Sequence, residues 1–147
     1  MYGNWAANFA VVGATLFVVA TCVLVHYEGL LLVNRGLSHL HAAHRRVLVL
    51  YAILSVLMLH VLEIWIFGLA YWVLLDWPGN GSLRGVGHHL FDHIYFSAVT
   101  FTTAGYGDVV PVGPIRFMAG TESLVGFVMI TWSASFTYLE MEKYWRR

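Results

Sequence analysis

Thr102-Thr103-Ala104-Gly105-Tyr106-Gly107-Asp108 is a polar, glycine-punctuated stretch between apolar segments of a very hydrophobic chain. Its chemistry is that of the main chain. Glycine takes positive φ without steric cost, so glycines at 105 and 107 let successive carbonyls point the same way, towards an axis. Oxygens of Thr103, Ala104, Gly105 and Tyr106 then form stacked rings, and the Thr103 hydroxyl adds one more. Such rings replace the hydration shell of a cation. Non-helical backbone at membrane depth is tolerated only where it is buried in protein or lines a water-filled path. The stretch therefore points to an ion pathway. One chain supplies one such loop, so a closed pore needs several chains.

The rest of the sequence has to place that loop in a bilayer. Hydrophobic residues make up 59% of the 147 residues and charged residues 11%, against about 45–50% and about 25% in soluble domains. The length suits one small domain. A formal net charge of zero gives no reason to expect a nucleic-acid partner. The single cysteine, Cys22, excludes an intrachain disulfide and a Cys-based zinc site.

Apolar runs cover about residues 5–25, 47–75 and 115–139. Each reaches the roughly 20 residues that cross a hydrocarbon core of about 30 Å. The first run is expected to be a true span and not a cleaved leader, because residues 1–10 carry no Lys or Arg. Turn chemistry fills 76–87. A short helix fits 89–102, where Phe91, Ile94, Tyr95, Ala98 and Phe101 recur at three- and four-residue intervals. It is too short to span and suits a re-entrant segment that aims the negative end of its dipole at the ion cavity. Pro111 and Pro114 end the loop and set up the third span.

Arg35, Arg45 and Arg46 lie between the first two spans, and Lys143, Arg146 and Arg147 follow the third. Only Arg84 and Arg116 fall between the second and third. The positive-inside rule then places the 34–46 loop and the C-terminus in the cytoplasm and the N-terminus outside.

Residues 91–108 resemble the pore helix and selectivity filter of potassium channels, of the bacterial type with two helices per pore unit. The resemblance covers about 47–141. It implies an all-α membrane protein: an N-terminal helix and cytoplasmic loop over 1–46, then a pore domain over 47–147. That domain has outer helix 47–75, pore helix 89–102, filter 103–108 and inner helix 115–139. It also implies a homotetramer that conducts K+ passively, with ion sites from Thr103 to Gly107 and Asp108 at the outer mouth. Gly126 takes the position of the gating hinge, and Phe127, Ile130, Ala134 and Tyr138 would line the inner cavity. The permeant ion is the one ligand expected, with no cofactor and no enzymatic activity.

The chain departs from the family at three places. Ala104 stands where Val or Ile is usual, which removes packing behind the filter. Val99 replaces a glutamate that in some members pairs with the filter aspartate, so Tyr95 is the expected partner of Asp108. The first span has no counterpart in the two-helix unit. It is expected to pack outside the pore or to recruit a regulatory subunit.

Intramembrane ionisable residues are functional candidates by default. Glu122 is either a sensor coupled to the filter or a carboxyl that holds pore helix to inner helix. His60 and Glu63, three residues apart, share a helix face and pair or respond to pH. His26 and Glu28 are expected to pair with the second span. His39, His41 and His44 form a loop cluster open to pH sensing, lipid headgroups or metal, and His88, His89 and His93 rim the outer mouth. No span carries a basic residue at every third position, so no arginine-helix voltage sensor is expected, and the short tail suggests no cytosolic regulatory domain. The reading is a potassium channel in a prokaryotic plasma membrane. The alternatives are a weakly selective monovalent cation channel, a non-conducting channel-like subunit and, motivated only by eight histidines, an intramembrane metalloenzyme.

Overall fold

The computed structural model describes residues 5–40 and 44–145. The chain runs α1 (Trp5–His39), α2 (Arg45–Leu75), β1 (Ser82–Arg84), α3 (Leu90–Phe101), β2 (Val110–Val112) and α4 (Arg116–Trp145). α1, α2 and Arg116–Lys143 of α4 are each long and apolar enough to cross a membrane. α3 is the short helix expected from its periodicity.

α1 is longer than the first apolar run. It continues through His26, Glu28, Asn34 and Arg35 to His39, for 35 residues or about 52 Å. Arg35 is therefore on a helix and not in a loop. The extra turns persist because they keep one apolar face on α2. Val33 and Leu37 pack on Leu48 and Ala52, and Leu30 packs on Val56 and Leu59. Phe136 of α4 closes both clusters.

The largest core joins all four helices. Val11, Val18 and Cys22 of α1 meet Phe67 and Tyr71 of α2, Phe96 and Phe101 of α3, and Met118, Val125 and Met129 of α4. The Tyr71 and Phe96 rings meet edge to face at 5.1 Å. α1 packs on α2 and α4 of its own chain, so its inner face is covered without a further subunit.

Residues 76–87 are not all loop. β1 pairs antiparallel with β2, Ser82 opposite Val112 and Arg84 opposite Val110. Three residues per strand, one of them proline, give too short a pattern to read from sequence. Buried Asn80 adds a second tie. Its side-chain amide donates to the Leu74 carbonyl at 2.9 Å, serving one of the orphan acceptors at the end of α2. Its own carbonyl accepts from Ile115 N–H at 2.9 Å, where α4 begins.

Gly126 lies in an unbroken α4 against the end of α3. A Cβ there would stand 2.0 Å from the Phe101 carbonyl oxygen. Close packing is thus a sufficient reason for glycine at this position, whatever its part in bending. Gly126→Ala should lower the thermal midpoint in detergent by the equivalent of about 1–3 kcal/mol, the usual range for overpacking. Gly13→Ala, where a Cβ meets nothing within 4 Å, should be neutral or stabilising by up to about 1 kcal/mol. Equal behaviour of the two variants would contradict the packing assignment.

Candidate functional site

The loop from Thr102 to Asp108 follows directly from α3. Thr102 N–H donates to Ala98 C=O and Thr103 N–H to Thr100 C=O, and Gly105 N–H reaches back to Val99 C=O at 3.2 Å. The last carbonyls of α3 are therefore tied to the loop they launch. Ser123 of α4 donates to Thr100 C=O at 3.0 Å and fixes the same junction from the side.

Backbone φ is positive at Thr103 (59°), Gly105 (57°) and Gly107 (80°), every second residue, and at no other non-glycine among the described residues than Thr103. Alternation of hand turns successive N–H groups to one side of the chain and the carbonyls to the other. The glycines were legible as the source of this geometry. Thr103 was not, because a β-branched residue is a rare occupant of that region.

All seven residues from Thr102 to Asp108 are exposed in the single chain, between buried Phe101 and buried Val109. Tyr106 is 75% exposed, so most of its ring is left uncovered by its own chain. Phe127, Ile130, Ala134 and Tyr138 are likewise exposed and form one bare face of α4. Asp108 accepts a hydrogen bond from Tyr95 Oη at 2.6 Å, the partner expected where Val99 replaces an acid.

Behind the loop, Glu122 is buried at the meeting of three helices. Tyr71 Oη of α2 donates to Oε2 and Ser97 Oγ of α3 reaches Oε1, each at 2.5 Å. Ser97 Oγ also lies 2.9 Å from the Ile64 carbonyl, so one hydroxyl bridges α2 and α4. Glu122 was singled out from sequence by its charge. Tyr71 and Ser97 were not, because each is unremarkable in an apolar helix.

A second polar cluster lies deeper along the bundle. Glu63 receives His60 Nδ1 on Oε2 at 2.8 Å and His26 Nδ1 on Oε1 at 2.6 Å. The His60–Glu63 pairing follows from their spacing. The His26 contact confirms only half of the α1 expectation, since Glu28 is exposed on another face of α1. His93 is not on an open rim. It is buried, with Nδ1 on the His89 carbonyl at 2.9 Å, so it serves the first turn of α3. His39 and His44 are exposed at the facing ends of α1 and α2. His41 lies outside the described residues.

Three helices of membrane-spanning length, a short helix between the last two and a glycine-bearing loop after it define an integral membrane channel. Residues 46–142 match the ion channel family model, and the chain belongs to that family. The match runs from α2 through most of α4 and leaves α1 outside. Among curated proteins, the chain is similar to Protein LctB of Geobacillus stearothermophilus, 34% identical over 40% of this chain and 62% of the relative. It is also similar to Protein LctB of Bacillus caldotenax, 48% identical over 27% of this chain and 30% of the relative. The chain thus spans less than two thirds of either relative. No solved structure matches it.

Two outcomes follow from these contacts. Glu122→Ala leaves the buried Tyr71 hydroxyl without its acceptor, while Ser97 keeps the Ile64 carbonyl, and should cost more stability than Glu122→Gln, which keeps an acceptor oxygen. The expected difference is about 1–3 kcal/mol, measured by thermal unfolding in detergent. Tyr95, outside the three spanning helices, has its phenol pushed above the ordinary range, chiefly by the hydrogen bond to Asp108. A raised folded-state value means that the bond is intact below the ordinary tyrosine pKa of about 10 and is lost only as pH rises through the raised value. In ultraviolet phenolate titrations, the difference between parent and Tyr95→Phe should therefore be one step lying above that value. A step at or below that value would show that Tyr95 is not held by Asp108.

Proposed function

We propose that the chain is a passive potassium channel, a homotetramer whose four Thr103–Gly107 loops surround one conduction axis in the lipid bilayer. The observation that carries this reading is the loop itself. Its φ is positive at 103, 105 and 107 but not at 104 or 106 between them, and every residue from Thr102 to Asp108 lies open in the single chain. Carbonyls turned to one side and left without partners are what a dehydrated cation needs. Neighbouring subunits would cover Tyr106 and the bare face of α4.

In this reading Thr103, Ala104, Gly105, Tyr106 and Gly107 coordinate K+, and Asp108, tethered by Tyr95, holds the outer mouth. The Glu122 cluster holds the pore helix at its working height. Gly126 gives α4 room beside Phe101 and is the residue at which the inner helix bends. The N-terminus lies outside and the C-terminus in the cytoplasm of a prokaryotic plasma membrane, as the arginine distribution indicates. A second reading, a weakly selective monovalent cation channel, is favoured by one feature: Ala104 offers less side chain to pack behind the loop than Val or Ile.

Reversal potential in planar bilayers under a K+/Na+ gradient, followed by barium, separates the two. Potassium selectivity predicts reversal near the K+ equilibrium potential and block by barium. Ala104→Val should then leave reversal unchanged or move it closer to that potential. Gly105→Ala should abolish K+ preference, because a Cβ at φ 57° is strained by about 1–2 kcal/mol in every subunit. Current that reverses near zero would replace the potassium reading with the non-selective one. Absence of current at all voltages and pH values would leave a non-conducting subunit.

A further inference from the structure

Two of the eight histidines, far apart in sequence, meet on one carboxylate inside the bundle. One ring nitrogen of His26, one of His60 and a carboxylate oxygen of Glu63 all lie within 4.8 Å of one another. We propose that His26, His60 and Glu63 bind a divalent transition metal of the zinc class, and that the ion fastens α1 to the channel unit. This proposal stands apart from the potassium reading, since none of the three residues belongs to the loop.

The donor set selects the metal class. Two imidazoles and one carboxylate suit zinc and its first-row neighbours, whereas calcium and magnesium call for six or more oxygens. His60 and Glu63 are one turn apart on α2, a spacing by which helical bundles project His and Glu inward to a shared ion. His26 comes from α1 and approaches the other carboxylate oxygen. Both imidazoles present the same nitrogen, and their rings lie 27° from parallel with centroids 5.6 Å apart.

The dimensions also fit. Present N···O separations of 2.6 and 2.8 Å are those of shared protons. Zinc bonds of about 2.0–2.2 Å set tetrahedral ligand atoms roughly 3.3 Å apart, so binding needs an outward movement of about half an ångström and release of those protons. The surroundings support a metal centre. Ser133 Oγ of α4 lies 3.4 Å from His26 Nε2, where a ligating imidazole takes its orienting partner. Trp132 stands 5.0 Å from the His26 ring and Phe101 6.0 Å from the His60 ring, forming an apolar wall. The His60 side chain is 14% exposed while His26 and Glu63 are fully buried. The open fourth position and the way in therefore lie on the His60 side.

Three helices would then be tied by one ion: α1 through His26, α2 through His60 and Glu63, and α4 through the Ser133 contact. Because α1 lies outside the family match, the site is a device of this three-helix chain and not of the two-helix unit.

The test uses the full chain in detergent, freed of any affinity tag and stripped with chelator, then titrated with Zn2+ and Co2+. The expected result is about one ion per chain, visible Co2+ bands of a low-symmetry N/O site and a thermal midpoint that rises with zinc. Glu63→Gln and His26→Gln should each weaken binding by more than about tenfold, and Ser133→Ala by about tenfold. Failure of the stripped parent to take up zinc at micromolar concentration would overturn the proposal and leave a proton-sharing triad. Undiminished binding in Glu63→Gln and His26→Gln would also overturn it and move the metal to the exposed histidines. Should the variants not fold, X-ray absorption of the zinc-loaded parent decides: two imidazoles with oxygen support the site, and sulfur or no imidazole overturns it.

Discussion

A carboxyl inside a bilayer has no water to turn to, and the position of Glu122 shows how much of this fold follows from that constraint. Tyr71 and Ser97 hold its two oxygens, and Ser97 is also close to the Ile64 carbonyl. The three helices cannot slide past one another without leaving a polar atom unpaired at a cost of several kcal/mol in hydrocarbon. α3 is thereby fixed in height between α2 and α4. One turn along α4, Gly126 removes the side chain that would strike Phe101. The C-terminus of α3 and the start of the loop take their place from these two features together.

The loop obeys the same constraint in the opposite sense. Its N–H groups at 103 and 105 fold back on α3, while the rest of the segment stays open in the single chain. Open backbone at this depth is stable only when other protein or a permeant ion completes it. Family membership supplies the channel class, and in the proposed tetramer neighbouring copies would complete the exposed loop. Outside the loop, the β1–β2 pair and the Asn80 contacts tie the two flanking segments to each other.

α1 makes this chain more than a pore unit. Its upper half completes the main core with Val11, Val18 and Cys22, and its lower half zips along α2. Between these regions His26 meets Glu63 and comes within 3.4 Å of Ser133. Two polar clusters, one at Glu122 and one at Glu63, thus set the register of an otherwise greasy bundle. Apolar contacts between helices are weakly directional in lipid, so polar contacts carry the specificity.

Apolar run length gave the three spans, and three- and four-residue periodicity gave the short helix, because both signals are local. The glycines at 105 and 107 and the pairing of His60 with Glu63 were legible for the same reason: conformational freedom and helical spacing belong to the residue and its near neighbours. The extension of α1 through Glu28 and Arg35 was hidden, since charged residues continue a helix only when a partner face such as Leu48 and Ala52 is there to cover the other side. Thr103 at positive φ ran against its own propensity and needed the surrounding contacts to impose it. Tyr71, Ser97, His26 and Ser133 gained their roles only when residues 25 to 107 positions apart came within hydrogen-bond reach. Sequence by itself determined which segments enter the membrane and which residues carry charge or freedom there. Tertiary structure decided which of those charges meet, because that depends on helix rotation and height, quantities that no local pattern encodes.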